Sequence, residues 1–196
     1  MKKPIEPWHL LESIYSFRDR WLKVRSDTVR LPGGKTLSPY HVVEVADWVN
    51  VVAINEAGNV ILVEQYRHAV KRVLLEIPAG HVDPKEDHEA AARRELLEET
   101  GYGGGAWHPL GALHPVASRF ANQVYSYLAL GVRKLGEPLQ EESENLHIRE
   151  IPWAEFVAGL QSGELRLHEA NQMSSLFLLH LYAAASSDPT ISKLRL

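Results

Sequence analysis

Three glutamates gather on one short segment of the chain, in the pattern E-x-x-E-E at Glu95, Glu98 and Glu99. In a helix that turns about 100° per residue, their carboxylates fall within an arc of roughly 100°. A helix is predicted from about position 84 or 85 to position 100, and Gly101 stands where a left-handed residue commonly ends a helix. The fold must therefore accommodate a helix that concentrates negative charge near its end.

The remaining residues of this helix predict where it packs. Leu96 and Leu97 point to the side of the helix away from the glutamates. Ala90 and Ala92 lie at helical angles close to those of the two leucines. We therefore expect an amphipathic helix, with an apolar face that packs and an opposite face that carries the acids.

Gathering the acids costs free energy. Glu95 and Glu99 form a like-charge pair one turn apart, which is unfavourable by a few tenths of a kcal/mol even on an exposed surface. Arg94 can reach Glu98, but one guanidinium cannot neutralise three carboxylates. A hard divalent cation such as Mg²⁺ or Mn²⁺, which prefers oxygen ligands, would relieve the repulsion. The alternative is an ordinary solvated acidic face paired with surface lysines, and such faces are common.

Composition limits the classes of protein that fit. The 196 residues suit one domain, or one domain with a small extension, and 45% are hydrophobic. A net charge of −4 without a long basic run argues against a nucleic acid or an anionic membrane as partner. The absence of cysteine excludes disulfides. With no signal-peptide pattern and no apolar stretch of membrane-spanning length, we expect a cytoplasmic protein.

The order of predicted elements indicates a mixed fold. Alternating segments around the turn at 31–35 predict two strands, and residues 49–54 and 59–66 predict a hairpin. Residues 73–80 read as one strand, and 122–132 and 146–151 as two more. Two helices are predicted at 153–163 and 168–185. We expect an α/β (α+β sandwich) fold, with a small antiparallel sheet in residues 1–45 and the main domain in residues 46–196.

The spacing around the acidic helix is specific. It reads Gly80, five residues, Glu86, seven residues, and then Arg94-Glu95-Leu96-x-Glu98-Glu99-x-Gly101-Tyr102. This resembles the Nudix box, G-x5-E-x7-R-E-U-x-E-E-x-G-U, in which U is bulky and apolar. Seven fixed identities match, and a chance match is on the order of 10⁻⁹ per starting position. Tyr102 is a mild departure, since an aliphatic residue is commoner there.

The resemblance implies a fold, a cofactor and a set of roles. The Nudix fold would place a mixed sheet between helices, with a loop–helix–loop catalytic unit that hydrolyses nucleoside diphosphate derivatives with Mg²⁺ or Mn²⁺. Glu95 and Glu99 would be the principal metal ligands, and the Ala79 carbonyl a further one. Glu98 would be an additional ligand, a group bridged through water, or a catalytic group. The structural residues of the box would be Gly80, Glu86, Arg94 and Gly101.

Two stretches before the box resemble one branch of the family. Residues 64–67 read E-Q-Y-R and residues 76–80 read E-I-P-A-G, as in ADP-ribose pyrophosphatases and related nucleoside diphosphate sugar hydrolases. There Arg67 would contact the diphosphate, a role that suits a planar guanidinium. Glu76 would lie at the substrate end of its strand. The alternative for Arg67 is a surface arginine at a strand end.

Three more residues are candidates for the site. In the resembling enzymes a glutamate on a mobile loop acts as base or extra ligand, and alignment favours Glu144, then Glu142. An ordinary charged loop is the alternative. Trp48 is a candidate to stack on a nucleobase, although a core or dimer-interface position fits equally. The resemblance also implies a homodimer in which the N-terminal sheet takes part.

The resulting prediction is metal-dependent hydrolysis of the diphosphate linkage of ADP-ribose or a related nucleoside diphosphate sugar. The products would be a nucleoside monophosphate and a sugar phosphate. Enzymatic alternatives are a Nudix hydrolase for GDP-mannose, dinucleoside polyphosphates or coenzyme A. A sensor that binds a nucleotide sugar without turnover is the alternative from a different class.

Overall fold

The computed structural model describes residues 4–139 and 146–196. Contacts within the chain divide it into two compact units. The first comprises the chain up to Ala46 together with His114–Gln123, and the second comprises Asp47–Leu113 and Val124–Leu196.

The first unit is a three-stranded antiparallel sheet. Its strands are β1 (His9–Arg18), β2 (Lys23–Arg30) and β3 (Thr36–Glu44), in that spatial order. The small N-terminal antiparallel sheet is thus confirmed, with two strands where the sequence predicts them. Strand β1 was not predicted, because all ten of its residues are exposed and it lacks the alternation of a half-buried strand.

Strand β1 carries an unusual amount of exposed apolar surface. Its large exposed side chains are Leu10, Leu11, Ile14, Tyr15 and Phe17. So many exposed apolar side chains on one strand are typical of a surface that another protein covers. The homodimer that the sequence predicts remains a prediction.

The second unit is built on an eight-stranded mixed sheet. Its strands are β4 (Trp48–Asn55), β5 (Asn59–Arg67), β6 (Arg72–Glu76), β7 (Ala79–His81), β8 (Tyr102–Gly103), β9 (Ala106–Leu113), β10 (Val124–Lys134) and β11 (Leu146–Pro152). Its helices are α1 (His88–Thr100), α2 (Trp153–Ser162), α3 (Ala170–Ala185) and α4 (Pro189–Ser192). Strands β4 and β10 are parallel, and the other pairs are antiparallel.

Alternating residues of β4 send side chains to opposite faces of this sheet, and each face has its own apolar core. Val52 and Ile54 pack in a cluster with Phe156 of α2 and with residues of α3 and α4. Val51 and Ala53 pack in the other cluster, with Leu96 of α1. The predicted mixed sheet between helices is therefore confirmed. Among the described residues, no helix is both long and apolar enough to cross a membrane.

Helix α1 begins later than the sequence predicts. Asp87 caps it, because its side chain accepts hydrogen bonds from the backbone N–H groups of Glu89 (3.0 Å) and Ala90 (3.1 Å). The helix ends at Gly101 as predicted, with φ of 70° and a bond from its N–H to the Leu97 carbonyl (2.7 Å).

The prediction of separate acidic and apolar faces on α1 is wrong in part. Leu96 is fully buried, but Leu97 is 37% exposed and Ala90 is exposed. Glu99 is only 4% exposed. The face of α1 that packs on the sheet therefore includes both Leu96 and Glu99.

The segment predicted as one strand at 73–80 is two strands. Strand β6 pairs with β5 and strand β7 pairs with β4, so the chain changes partner at Ile77 and Pro78. Proline supplies no N–H group to a ladder, which suits it to this break. The change of partner places Gly80 next to β4, below helix α1.

Candidate active site

The Gly80 backbone and the Glu95 side chain are in close contact. A Cβ atom at position 80 would overlap the Glu95 carboxylate. Glycine therefore leaves room for the Glu95 carboxylate, and it is not needed for a left-handed backbone, which the residue does not adopt. Strand β7 and helix α1 together hold a carboxylate directly against the main chain.

Arg94 joins the loop before α1 to the end of that helix. Its Nε and Nη2 atoms donate to the two carboxylate oxygens of Glu86, at 3.0 and 2.9 Å. Nη2 also donates to the His81 carbonyl (2.9 Å). Nη1 donates to both Glu95 (2.9 Å) and Glu98 (3.0 Å). The geometry supports a bracing role for Glu86 and Arg94, which remains a prediction.

These contacts stabilise the charged forms of both groups. The bonds from Arg94 hold the pKa of Glu86 below its ordinary value. Conversely, the bond to Glu86 is the largest cause that raises the pKa of Arg94. The loop and the helix are thus joined by a charge-assisted bidentate pair.

Glu99 points into the protein rather than toward solvent. Its carboxylate accepts a hydrogen bond from the Ala79 N–H at 3.1 Å. The contact places Glu99 beside the residue whose carbonyl is a predicted metal ligand. A buried carboxylate with a backbone donor keeps a fixed orientation, as a metal ligand requires.

The predicted metal ligands are near one another but do not converge. Among the described residues, no group of three or more His, Asp or Glu side chains is placed to hold a metal ion. The reason is that Nη1 of Arg94 bonds Glu95 and Glu98, whereas Glu99 is bonded to Ala79 N–H. The donor set nevertheless suits Mg²⁺ or Mn²⁺, since three carboxylates and a carbonyl are hard oxygen ligands. The metal set remains a prediction.

Arg67 and Glu76 form a partly buried ion pair across β5 and β6. Nε of Arg67 donates to Oε1 of Glu76 (2.9 Å) and Nη2 donates to Oε2 (2.6 Å). Glu76 is only 1% exposed. Burial lowers the pKa of Arg67, but the bonds to Glu76 outweigh it, and the pKa lies above its ordinary value. Arg67 is thus a cation held in a fixed orientation.

Trp48 lies at the start of β4, opposite His81 of β7. The indole meets the His81 ring edge-on, with centroids 4.2 Å apart. Its Nε1 atom is buried and has no hydrogen-bond partner among the described residues. Burial, followed by the charge of Arg67, lowers the pKa of His81. A stacking role for Trp48 remains a prediction.

Two predicted residues cannot be placed, and one residue was missed. Glu142 and Glu144 lie outside the described residues. Glu169, just before α3, is half-buried near Arg67 and Glu76. Burial and then the Glu76 carboxylate raise the pKa of Glu169. Its position at the start of the helix predicted at 168–185 is the sequence signal that could have drawn attention to it.

Comparison with known proteins identifies the family. Residues 46–172 match the NUDIX domain family. The chain belongs to this family. Residues 8–43 match a second family, the nucleoside diphosphate sugar hydrolase N-terminal domain. The segment from Gly80 to Gly101, which the sequence predicts as the box, lies within the matched residues.

Relatives of this NUDIX protein include two bacterial ADP-ribose pyrophosphatases. The one from Mycobacterium tuberculosis is 36% identical over 144 residues, which cover 72% of this chain and 69% of the relative. The one from Bacillus subtilis is 30% identical over 151 residues, covering 76% and 80%. A crystal structure of an ADP compounds hydrolase superposes with a TM-score of 0.79 at 24% identity, covering 95% of this chain and 99% of that one. This last likeness shows the fold alone.

Two neighbouring arginines of α1 allow a matched stability test. Arg94→Ala is expected to lower the free energy of unfolding by about 1–3 kcal/mol, because it leaves charged and backbone groups without their donor. Arg93→Ala is expected to cost only about 0.5–1 kcal/mol, since Arg93 contacts exposed Glu89 and the Trp107 ring. Urea denaturation without divalent metal measures both. Equal losses would contradict the bracing role of Arg94.

Proposed function

We propose that the protein hydrolyses the diphosphate linkage of ADP-ribose or a related nucleoside diphosphate sugar, with Mg²⁺ or Mn²⁺ as cofactor. Water adds across one P–O–P bridge, and the products are a nucleoside monophosphate and a sugar phosphate. The observation that carries the proposal is the fixed Arg67 cation on the same unit as the acidic box helix. The identity to two ADP-ribose pyrophosphatases supports it.

Arg67 has the geometry of a diphosphate contact. The bonds to Glu76 use Nε and Nη2, so among the described residues Nη1 is left for another acceptor. A guanidinium that is already oriented loses little conformational freedom when it binds a phosphate oxygen. Glu76 is therefore assigned a positioning role, and Arg67 a binding role.

The box carboxylates are assigned to the metal. Glu95, Glu98 and Glu99, with the Ala79 carbonyl, would hold Mg²⁺ or Mn²⁺ once Arg94 releases the two glutamates that Nη1 bonds. The bound ion would neutralise phosphate oxygens and lower the pKa of a coordinated water. Glu99 keeps its orientation through the Ala79 N–H, and Glu95 keeps its place against Gly80.

A general base is needed for the attacking water. Glu144 and Glu142 are the first candidates, and they lie outside the described residues. Glu98 is the candidate within the box, since its carboxylate is partly exposed on α1. Replacing the three glutamates one at a time by glutamine would identify the base as the residue whose loss removes the fall of kcat at low pH.

A substrate panel with Mg²⁺ and with Mn²⁺ tests the function. We expect the highest kcat/KM for ADP-ribose or another nucleoside diphosphate sugar, and no turnover after EDTA treatment, because the carboxylates alone do not activate water. Product analysis should show the nucleoside monophosphate and the sugar phosphate. A clear preference for a dinucleoside polyphosphate would overturn the substrate class. Tight binding without cleavage in either metal would favour a sensor.

A further inference from the structure

A cavity of about 480 Å³ opens beside Arg67. It is formed by the start of β4, the turn between β5 and β6, and the residues before α3. The lining residues used below are Trp48, Arg67, Val70, Leu74 and Glu169. Its volume falls in the range of small-molecule sites. None of the sequence motifs assigns a ligand to it as a whole.

The cavity adjoins the box through two of its walls. Arg67, which is assigned to the diphosphate, is one of them. Trp48 is the other, because it pairs with His81 in the strand that begins at Ala79. A ligand that places a diphosphate on Arg67 therefore extends into the cavity with its next group.

The polar atoms of the walls can both accept and donate hydrogen bonds. The half-buried carboxylate of Glu169 accepts. Trp48 Nε1 is a buried donor without a partner among the described residues. An unpartnered buried donor is a cost to the free fold, so a ligand that accepts from it after a turn of the indole toward the cavity gains that contact without breaking another.

Apolar side chains form part of the remaining wall, beside His68, Arg72 and His168. Val70 and Leu74 belong to the hairpin of β5 and β6, on the side of the cavity that lies along that turn. A small group that carries hydroxyls on its edges and C–H bonds on its faces matches such a mixture of walls.

We propose that this cavity binds the sugar half of the nucleoside diphosphate sugar, with Glu169 and Trp48 Nε1 contacting the sugar hydroxyls. The inference rests on the proposed function and deepens it, since it assigns the residues that select the group beyond the diphosphate. Glu169 accepts from one or two hydroxyl groups, and the Trp48 N–H donates to a hydroxyl oxygen. Arg67 marks the boundary between sugar and diphosphate.

The chemistry of the walls favours a sugar over a nucleobase. Adenine offers a carboxylate only the amino group at N6 as an edge donor, whereas every free sugar hydroxyl can donate to it. Burial raises the pKa of Glu169, and the charge of Arg67 partly offsets this. Arg67 therefore favours the charged form of the carboxylate, against burial and Glu76, which favour the neutral form.

The test compares three substrates. ADP-ribose is the reference, the methyl ester of ADP keeps the diphosphate but lacks the terminal sugar, and the guanine analogue of ADP-ribose changes only the base. We expect Glu169→Gln to lower kcat/KM for ADP-ribose by roughly tenfold, since a bond to a charged group is lost. The value for the methyl ester should change less than about twofold, and the ratio between the two bases should not change.

A second variant of the pocket and a control variant complete the test. Trp48→Phe removes the donor but keeps an aromatic ring, and it should lower kcat/KM for ADP-ribose about threefold to tenfold with the methyl ester unaffected. Glu164→Gln is the matched control, because Glu164 is an exposed acid in the same connection before α3 and does not line the cavity. It should leave all three substrates unchanged.

The possible outcomes distinguish a failure of the proposed sugar pocket from a failure of the proposed reaction. If Glu169→Gln lowers turnover of ADP-ribose and the methyl ester equally, the residue acts on the structure and the sugar pocket is refuted. If the ratio between the bases changes instead, the cavity binds the nucleoside. Binding of ribose 5-phosphate, followed by tryptophan fluorescence and lost in Glu169→Gln, supports the pocket even if the parent protein hydrolyses none of the three. That last result would overturn the proposed function alone.

Discussion

Glu99→Gln is expected to lower kcat at least about a hundredfold, with the fold retained. Glutamine has nearly the same shape, and its amide oxygen can still accept from the Ala79 N–H, which Glu99 contacts at 3.1 Å. What it loses is the negative charge that a divalent cation requires. The variant therefore separates the charge of residue 99 from its structural contact.

A second glutamate on the same helix provides the control. Glu89 is exposed and pairs with Arg93, away from the box carboxylates. Glu89→Gln should keep kcat within about twofold of the parent, because surface pairs of this kind contribute little. Steady-state kinetics at saturating ADP-ribose and Mg²⁺, with circular dichroism of both variants, measures the difference. Near-normal turnover of Glu99→Gln would remove it from the ligand set.

The sequence predicts the acidic helix because its signals are local. Gly101 ends it with a left-handed residue, and the spacing of Gly80, Glu86 and Arg94 carries the family resemblance. The burial of Glu99 could not be predicted from this pattern. Helical angles give the positions of side chains relative to each other, but which arc meets the sheet depends on how β7 packs below the helix.

The residues that line the cavity are still harder to predict from the sequence. Trp48, Arg67 and Glu169 come from three distant segments, and the strand register brings them together. Arg67 and Glu76 carry a motif, so the sequence predicts both as site residues. Glu169 carries none, and its role follows only from its place near that ion pair. Strand β1 was missed for a related reason, because an exposed strand has no alternation to detect.

Gly80→Ala is expected to lower kcat/KM by about tenfold to a hundredfold, through Glu95 alone. The backbone at Gly80 accepts a side chain, but the new methyl group would overlap the Glu95 carboxylate. That carboxylate is the end of a flexible side chain, so it moves and the backbone stays. The protein should therefore fold, with Glu95 displaced from the position in which the metal is proposed to meet it.

The matched control is Gly33→Ala in the turn between β2 and β3. A methyl group there has no neighbour within 4 Å, and the backbone is again not left-handed. Gly33→Ala should leave kcat/KM and the metal dependence unchanged, whereas Gly80→Ala should raise the Mn²⁺ concentration needed for half-maximal activity. Neither glycine has a left-handed backbone, so the pair contrasts a Cβ that would meet Glu95 with a Cβ that would meet nothing within 4 Å. Unchanged kinetics and metal dependence in Gly80→Ala would show that Glu95 leaves Gly80 in the working enzyme, and the proposed ligand set would then lose that glutamate.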